Sequence, residues 1–201
     1  MSSNILAPGI HSYKNVFPES INHINSIESL VGESKISWIP SFNKNHTSAE
    51  EAKKFFRNVD TIGLPIESQI PENIDKNQEP AKTLLDFSNS LNINFSPYLK
   101  DYVEEYGISI SEQEPFGLLK YGKGQKFDKH IDNGMMFVRN VSLVYYANDS
   151  YSGGEIFFDK FNLNIKPEKN QLLIFPSNYI YSHSISEVLE GTRYSIVTWY
   201  K

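Results

Sequence analysis

Cysteine is absent from the 201 residues. That excludes disulfide scaffolds, zinc ribbons, thiolate nucleophiles and iron–sulfur clusters together. No apolar run approaches the ~18 residues of a membrane span. The opening segment, Met1 to Gly9, carries neither a basic stretch nor a long apolar core, so no secretory signal is expected. Basic charge is in deficit: 19 Lys and Arg stand against 24 Asp and Glu, a formal charge of −5. Broad, sequence-independent nucleic-acid binding needs a basic face and is not expected. The expectation is a soluble, cytoplasmic protein with neither membrane nor nucleic acid as partner; its oligomeric state is not legible. What the chain does have is aromatic residues, 13% of the total, too many for a disordered segment. It is also long enough to bury about 70% of its unfolded surface without a staple.

There is no internal repeat and no low-complexity tract. The character of the sequence changes near residue 110. Before that point the patterns are helical. Phe17, Ile21, Ile24, Ile27 and Leu30 recur at helical spacing, with Pro18 suited to a first turn. Thr47 to Glu50 reads as a capping box opening a helix that runs to about Arg57. Residues 81–106 read as one broken helix or two short ones, interrupted at Pro97 and stopped by Gly107. Between them, 60–80 is rich in proline and polar residues, a loop, lid or linker with one strand near its start.

After residue 110 the chain is strand-like throughout. Eight short runs fall near 115–121, 126–132, 139–147, 154–159, 162–166, 171–175, 180–186 and 193–200, separated by turn signals such as Asn133-Gly134 and Gly153-Gly154. That pattern predicts a jelly-roll or related β-barrel, its outer face covered by the preceding helices.

Three of the five histidines, His11, His23 and His46, are expected to be surface or satisfied core residues. His130 differs because Asp132 follows it. Residues two apart on a strand share a face, so imidazole and carboxylate project together. One further histidine would complete a two-His, one-carboxylate set of the kind that binds iron(II) and leaves open positions. Only His183 lies in a comparable strand. Arg193 opens the last strand, where Arg193, Ser195, Val197 and Trp199 share a face. If that face is interior, the guanidinium needs an anion. A bound carboxylate would serve, gripped through two parallel hydrogen bonds. The alternative is a surface salt bridge with Glu187 or Glu190.

The stretch Tyr121-Gly-Lys-Gly124-Gln125-Lys-Phe127-Asp-Lys-His130-Ile-Asp132 resembles the metal-binding motif of the prolyl 4-hydroxylase-like branch of the Fe(II)/2-oxoglutarate-dependent dioxygenases. The resemblance continues through Arg139, Val141 to Tyr146, Gly153-Gly154-Glu155, Ile165-Lys-Pro167, Leu172 to Pro176, His183 and Gly191 to Ser195. It implies a mainly β fold with N-terminal helices, built on a double-stranded β-helix (a distorted jelly-roll) of about eight strands. The chain would be a single catalytic domain over 1–201, with 1–110 as helical support and lid region and 111–201 as the barrel. His130, Asp132 and His183 would hold iron and carry catalysis. Arg193, Tyr146, Tyr121 and Ser195 would bind 2-oxoglutarate.

The implied cofactors are Fe(II), 2-oxoglutarate and O2, with ascorbate as an accessory. The implied reaction couples decarboxylation of 2-oxoglutarate to succinate with C–H hydroxylation. Peptidyl proline, in a peptide or protein partner, is the first expected substrate; another protein side chain, an amino acid or a small metabolite are the alternatives. Candidate selectivity segments are 60–80, 122–129 and 133–138, where Met135, Met136 and Phe137 would make an apolar lip. Arg139 is expected either to meet substrate at the mouth or to be a surface cation, and Trp199 to pack behind the pocket. Gly153 and Gly154 are expected in a positive-φ turn. Two other classes compete. Nucleic-acid demethylases of the same superfamily carry a second Arg where Trp199 stands, and a non-catalytic jelly-roll module would show no metal-dependent 2-oxoglutarate turnover.

Overall fold

A computed structural model describes residues 3–41, 57–134 and 138–201. The capping box at Thr47 with its helix, His46, and the lip at Met135 to Phe137 lie outside the described residues. In chain order the elements are β1 (Asn4–Ala7), β2 (Ile10–Tyr13), α1 (Ser20–Gly32), β3 (Ile39–Ser41), β4 (Val59–Leu64), α2 (Ala81–Tyr106), β5 (Phe116–Tyr121), β6 (Phe127–His130), β7 (Val141–Tyr146), β8 (Tyr151–Gly153), β9 (Ile156–Phe158), β10 (Leu163–Ile165), β11 (Gln171–Pro176), β12 (His183–Ile185), β13 (Val188–Gly191) and β14 (Arg193–Tyr200).

The strands form a large antiparallel sheet in the order β1-β2-β11-β7-β14-β5-β4-β3 and a smaller one in the order β10-β9-β12-β6, with β13 and β8 as a short ribbon. The four central strands of the large sheet face the small sheet, which makes an eight-stranded double-stranded β-helix. The eight expected runs are these eight strands. The N-terminal hairpin β1–β2 and the pair β3–β4 extend the two edges of the large sheet. Of those, the sequence signalled only β4, at the start of the 60–80 segment. β2 has no alternation to read, because all four of its residues are buried.

Two apolar layers follow from the alternation of the central strands. Val141, Leu143 and Tyr145 point outward with Leu172, Ile174 and Ile196 to meet Ile24 and Ile27 of α1 and Phe87, Leu91 and Phe95 of α2. Val144, Tyr146, Leu173, Phe175 and Val197 point inward to meet Ile156, Phe158, Ile165 and Ile185 of the small sheet. Helix α1 begins at Ser20, so Pro18 lies just ahead of it. Its first residue is pinned to the sheet: Ser20 Oγ and Tyr145 Oη are 2.8 Å apart, and the Tyr145 hydroxyl also donates toward the Phe17 carbonyl at 2.7 Å. Further along α1, Glu28 accepts from Lys120, Tyr194 and Trp38.

The expectation of a break at Pro97 is corrected. Helix α2 runs unbroken through it. Proline removes one backbone donor and leaves the carbonyl four residues earlier, that of Ile93, without its intrahelical partner. Ile93 is exposed, so water can satisfy that carbonyl. Leu91 and Phe95 before Pro97, and Leu99 and Tyr102 after it, are all buried and hold both halves on one axis. Gly107 closes the helix at φ 61°, in the left-handed region.

His11 is a satisfied core residue, fully buried with Nε2 2.8 Å from the Tyr106 hydroxyl. Burial pushes its pKa below the usual histidine range, with Glu105 opposing weakly. The unfolded chain therefore takes up a proton that the folded ring refuses. Stability should be fully present above the ordinary histidine value of about 6.5 and should fall as pH drops below it. His11→Gln should flatten that acid slope in urea unfolding measured across this range; an unchanged slope would show that the ring titrates freely in the fold.

Candidate metal centre

Antiparallel pairing of β6 with β12 sets His130 directly opposite His183. The two rings are 4.3 Å apart between centroids, and Asp132 follows within reach, its Oδ1 3.7 Å from His130 Nε2. The ligand atoms of His130, Asp132 and His183 all lie within 4.8 Å of one another. The neighbours orient each group. His130 Nδ1 is 2.9 Å from the Asp128 carbonyl and His183 Nδ1 is 3.0 Å from that of Tyr181. A carbonyl can only accept, so each Nδ1 carries a proton, which leaves Nε2 as the ring nitrogen free to meet a metal. Ser142 donates to Asp132 Oδ2 at 2.7 Å and in turn accepts from Ser177 at 2.8 Å.

The surroundings are largely dry. Phe127 stacks on His130 at 3.6 Å, and Phe158 and Phe175 flank His183. Burial, reinforced by His183, holds the His130 pKa well below the usual histidine range. For Asp132 burial alone would raise the pKa. The two imidazoles and hydrogen bonds from Ser142 and Trp199 outweigh it and hold the carboxyl below its ordinary value. The site presents two imidazoles and one carboxylate, a donor set suited to iron(II).

Arg193 is 1% exposed on the inward face of β14. Its Nη1 donates to Ser195 at 3.1 Å, and the guanidinium lies over the rings of Tyr121 and Tyr146, at 4.7 and 5.0 Å from their centroids. No carboxylate pairs with it among the described residues. Glu187 and Glu190 are exposed, which removes the surface salt-bridge alternative. The Arg193 Nε and the hydroxyls of Tyr146 and Tyr151 are buried with no hydrogen-bond partner. Buried donors left open in one place make a cradle for an anion. Burial pushes the pKa values of Tyr121, Tyr146 and Tyr151 up, so all three phenols remain protonated donors. Gly154 gives Arg193 its room: at φ 68° it passes so close that a Cβ would stand 2.9 Å from Arg193 Cδ. The metal-ligand candidates and Arg193 share one cavity of about 970 Å³ with Ser195 and Trp199.

Arg139 is neither free at the mouth nor a surface cation. Its Nε and Nη2 grip both oxygens of Glu114 at 2.6 and 2.5 Å, and its Nη1 donates to the Asp132 carbonyl at 3.2 Å. The guanidinium lies 3.7 Å from the Trp199 ring centroid. It braces the loop that carries Asp132. Trp199, expected behind the pocket, instead lines it. Sequence reasoning gave no role to Ser177, Tyr151 or Glu114. Ser142 was legible by parity, since it shares a strand face with Tyr146. Tyr151 carried no signal because β8 is too short to read.

The profile of the 2OG-Fe(II) oxygenase superfamily matches residues 116–201. A PKHD-type hydroxylase of Prochlorococcus marinus strain MIT 9215 is 36% identical over 83 residues, 38% of this chain and 37% of that protein. A second, from strain MIT 9312, is 26% identical over 85% of this chain and 74% of its own length. The matched stretch thus spans under two-fifths of the first relative. Among solved structures, a prolyl hydroxylase from Trichoplax adhaerens, in complex with a hypoxia inducible factor oxygen degradation domain peptide fragment, superposes with a TM-score of 0.67 at 17% identity. The superposition covers 96% of this chain and 83% of that one. The segment 116–201 is thus similar to the 2OG-Fe(II) oxygenase superfamily, and the chain has the fold of the prolyl hydroxylase structure it superposes on.

The brace is testable. Arg139→Leu leaves Glu114 without its partner in a site only partly open to solvent. It should lower the unfolding free energy by about 2–3 kcal/mol, below the range for a fully buried pair. Glu114→Gln in the same background should recover part of the loss. An unchanged denaturation midpoint in Arg139→Leu would reduce the residue to a surface cation.

Proposed function

We propose that this protein is an Fe(II)- and 2-oxoglutarate-dependent hydroxylase whose substrate is a proline residue in a peptide or protein. One observation carries the reading: two imidazoles and a carboxylate converge within 4.8 Å in the cavity that also holds a buried, unpaired arginine. Either feature alone has a structural explanation. Together they fit a metal and an anionic co-substrate in one space.

His130, Asp132 and His183 would hold the iron through Nε2, a carboxylate oxygen and Nε2. Arg193 would take the distal carboxylate of 2-oxoglutarate, assisted by the phenols of Tyr146, Tyr151 and Tyr121, with Ser195 fixing the guanidinium. Iron(II) and 2-oxoglutarate, when bound, supply O2 activation coupled to decarboxylation, and hence hydroxylation of an unactivated C–H bond. The protein contributes geometry, dryness and charge. With iron(II), Asp132, the dicarboxylate and Arg193 in place, the charges of that set cancel, which suits a low-dielectric pocket. Ser142 and the Arg139 contact to the Asp132 carbonyl keep the carboxylate aimed while substrate enters. Helices α1 and α2 back the barrel, so the described chain would work as one catalytic unit, in the cytoplasm. The peptide held by the Trichoplax structure supports a peptide substrate here. Among the described residues no helix is long and apolar enough to cross a membrane.

Anaerobic addition of Fe(II) and 2-oxoglutarate should produce the weak visible band of the chelate, and His130→Ala should lose it. Asp132→Ala should abolish 2-oxoglutarate turnover; full turnover by that variant would remove the assigned metal set. Arg193→Ala should weaken 2-oxoglutarate binding about 100-fold, as expected for truncating one partner of a buried charge pair. An unchanged dissociation constant would detach Arg193 from the co-substrate.

A further inference from the structure

Arg57 has no part in the assignments above. An isolated antiparallel bridge pairs it with Phe127 at the start of β6, which fixes its backbone beside the strand that ends in His130. Its guanidinium lies 4.9 Å from the centroid of the Phe127 ring, and that ring stacks on the His130 imidazole at 3.6 Å. The side chain lines the same cavity as His130, Asp132, His183 and Trp199. Its Nε is buried and has no hydrogen-bond partner. Among the described residues no carboxylate forms an ion pair with it. Tyr121 and the carboxylate of Asp132 act on it through space, and Asp132 already accepts from Ser142 and faces two imidazoles.

The cavity's other arginines sharpen the contrast. Arg139 is gripped by both oxygens of Glu114. Arg193 is matched by the co-substrate in the reading above. Once iron(II), Asp132, 2-oxoglutarate and Arg193 cancel, Arg57 adds one positive charge that no other described residue of the cavity balances. A partly desolvated guanidinium without a counter-ion is costly, and burial is the main cause that lowers its pKa. An anion entering with the substrate would supply a partner, and the planar fork of Arg fits a carboxylate.

We propose that Arg57 is a specificity residue that pairs with a carboxylate of the substrate, so that the preferred substrate is an amino acid or peptide presenting a carboxylate near the hydroxylated residue. This deepens the hydroxylase reading and rests on it. The carboxylate has two sources, the α-carboxylate at a chain end and the side chain of a flanking Asp or Glu.

Two series of probes separate them. The first contains N-acetyl dipeptides ending in proline, lysine, asparagine or leucine, each as the C-terminal acid and as the amide. The second contains C-terminally amidated, proline-containing peptides with Glu or Gln beside the proline. Binding is measured by calorimetry on the anaerobic protein loaded with Fe(II) and 2-oxoglutarate, and again on metal-free protein. The wild type should bind the charged member of at least one pair tenfold or more tightly than its neutral twin. Arg57→Gln should erase that preference while changing affinity for the neutral twin less than threefold. Arg57→Lys, which keeps charge but loses the fork, should retain part of it. The series that shows the preference names the source. No charged-over-neutral preference in either series, or one that persists in Arg57→Gln, overturns the proposal. A wild type without the visible Fe(II) and 2-oxoglutarate band overturns the hydroxylase reading instead, and the metal-free titrations then report on Arg57 alone.

Discussion

A strand alternates its side chains between two faces, and in β14 that alternation separates the hydrophobic core from the chemistry. Tyr194, Ile196 and Tyr200 pack toward the helices, while Arg193, Ser195, Val197 and Trp199 face the barrel interior. A slip of one residue would bury Tyr194 and Ile196 in the cavity and send Arg193 into the apolar layer beneath α1 and α2. The register is held from both sides, with Ser195 opposite Leu119 of β5 and opposite Tyr146 of β7. The neighbours repeat the rule. Tyr145 points out to Ser20 and Asn170, and Tyr146 points in to Arg193.

The eight barrel strands were legible as β-rich runs separated by turn signals, although β7 and β11 are buried on both faces and show no alternation. Parity then placed His130 with Asp132, and Arg193 with Ser195. The strands β1, β2 and β3, which extend the large sheet beyond the barrel, were not readable. Pro97 misled as well. Local propensity opposes a helix there, but buried side chains on both sides of it outweigh one missing hydrogen bond. The role of Arg139 was beyond reach because its partner Glu114 lies in the link between α2 and β5, where nothing in the spacing signals a contact.

Three arginines around one cavity meet three different electrostatic environments. Arg139 has a permanent counter-ion and so acts as structure. Arg193 is surrounded by aromatic faces and protonated phenols, which solvate a cation without neutralising it. Arg57 has an aromatic face and, among the described residues, no phenol or carboxylate bonded to it. Such a gradient, from paired to solvated to bare, orders the sites by how much each gains from an incoming anion.

The central place of β14 also has a kinetic consequence. It is the last strand in sequence, yet it lies between β7 and β5, and β5 pairs on its other side with β4. The sheet therefore cannot close by adding neighbours in order of synthesis. Its middle stays open until a segment distant in sequence inserts, and such non-local pairings slow folding into about the millisecond-to-second range. Until then Asp132 lacks Trp199 and the cavity lacks Arg193. In the proposed reading, capture of the co-substrate is thus coupled to the docking of the one strand that carries Arg193 and Ser195.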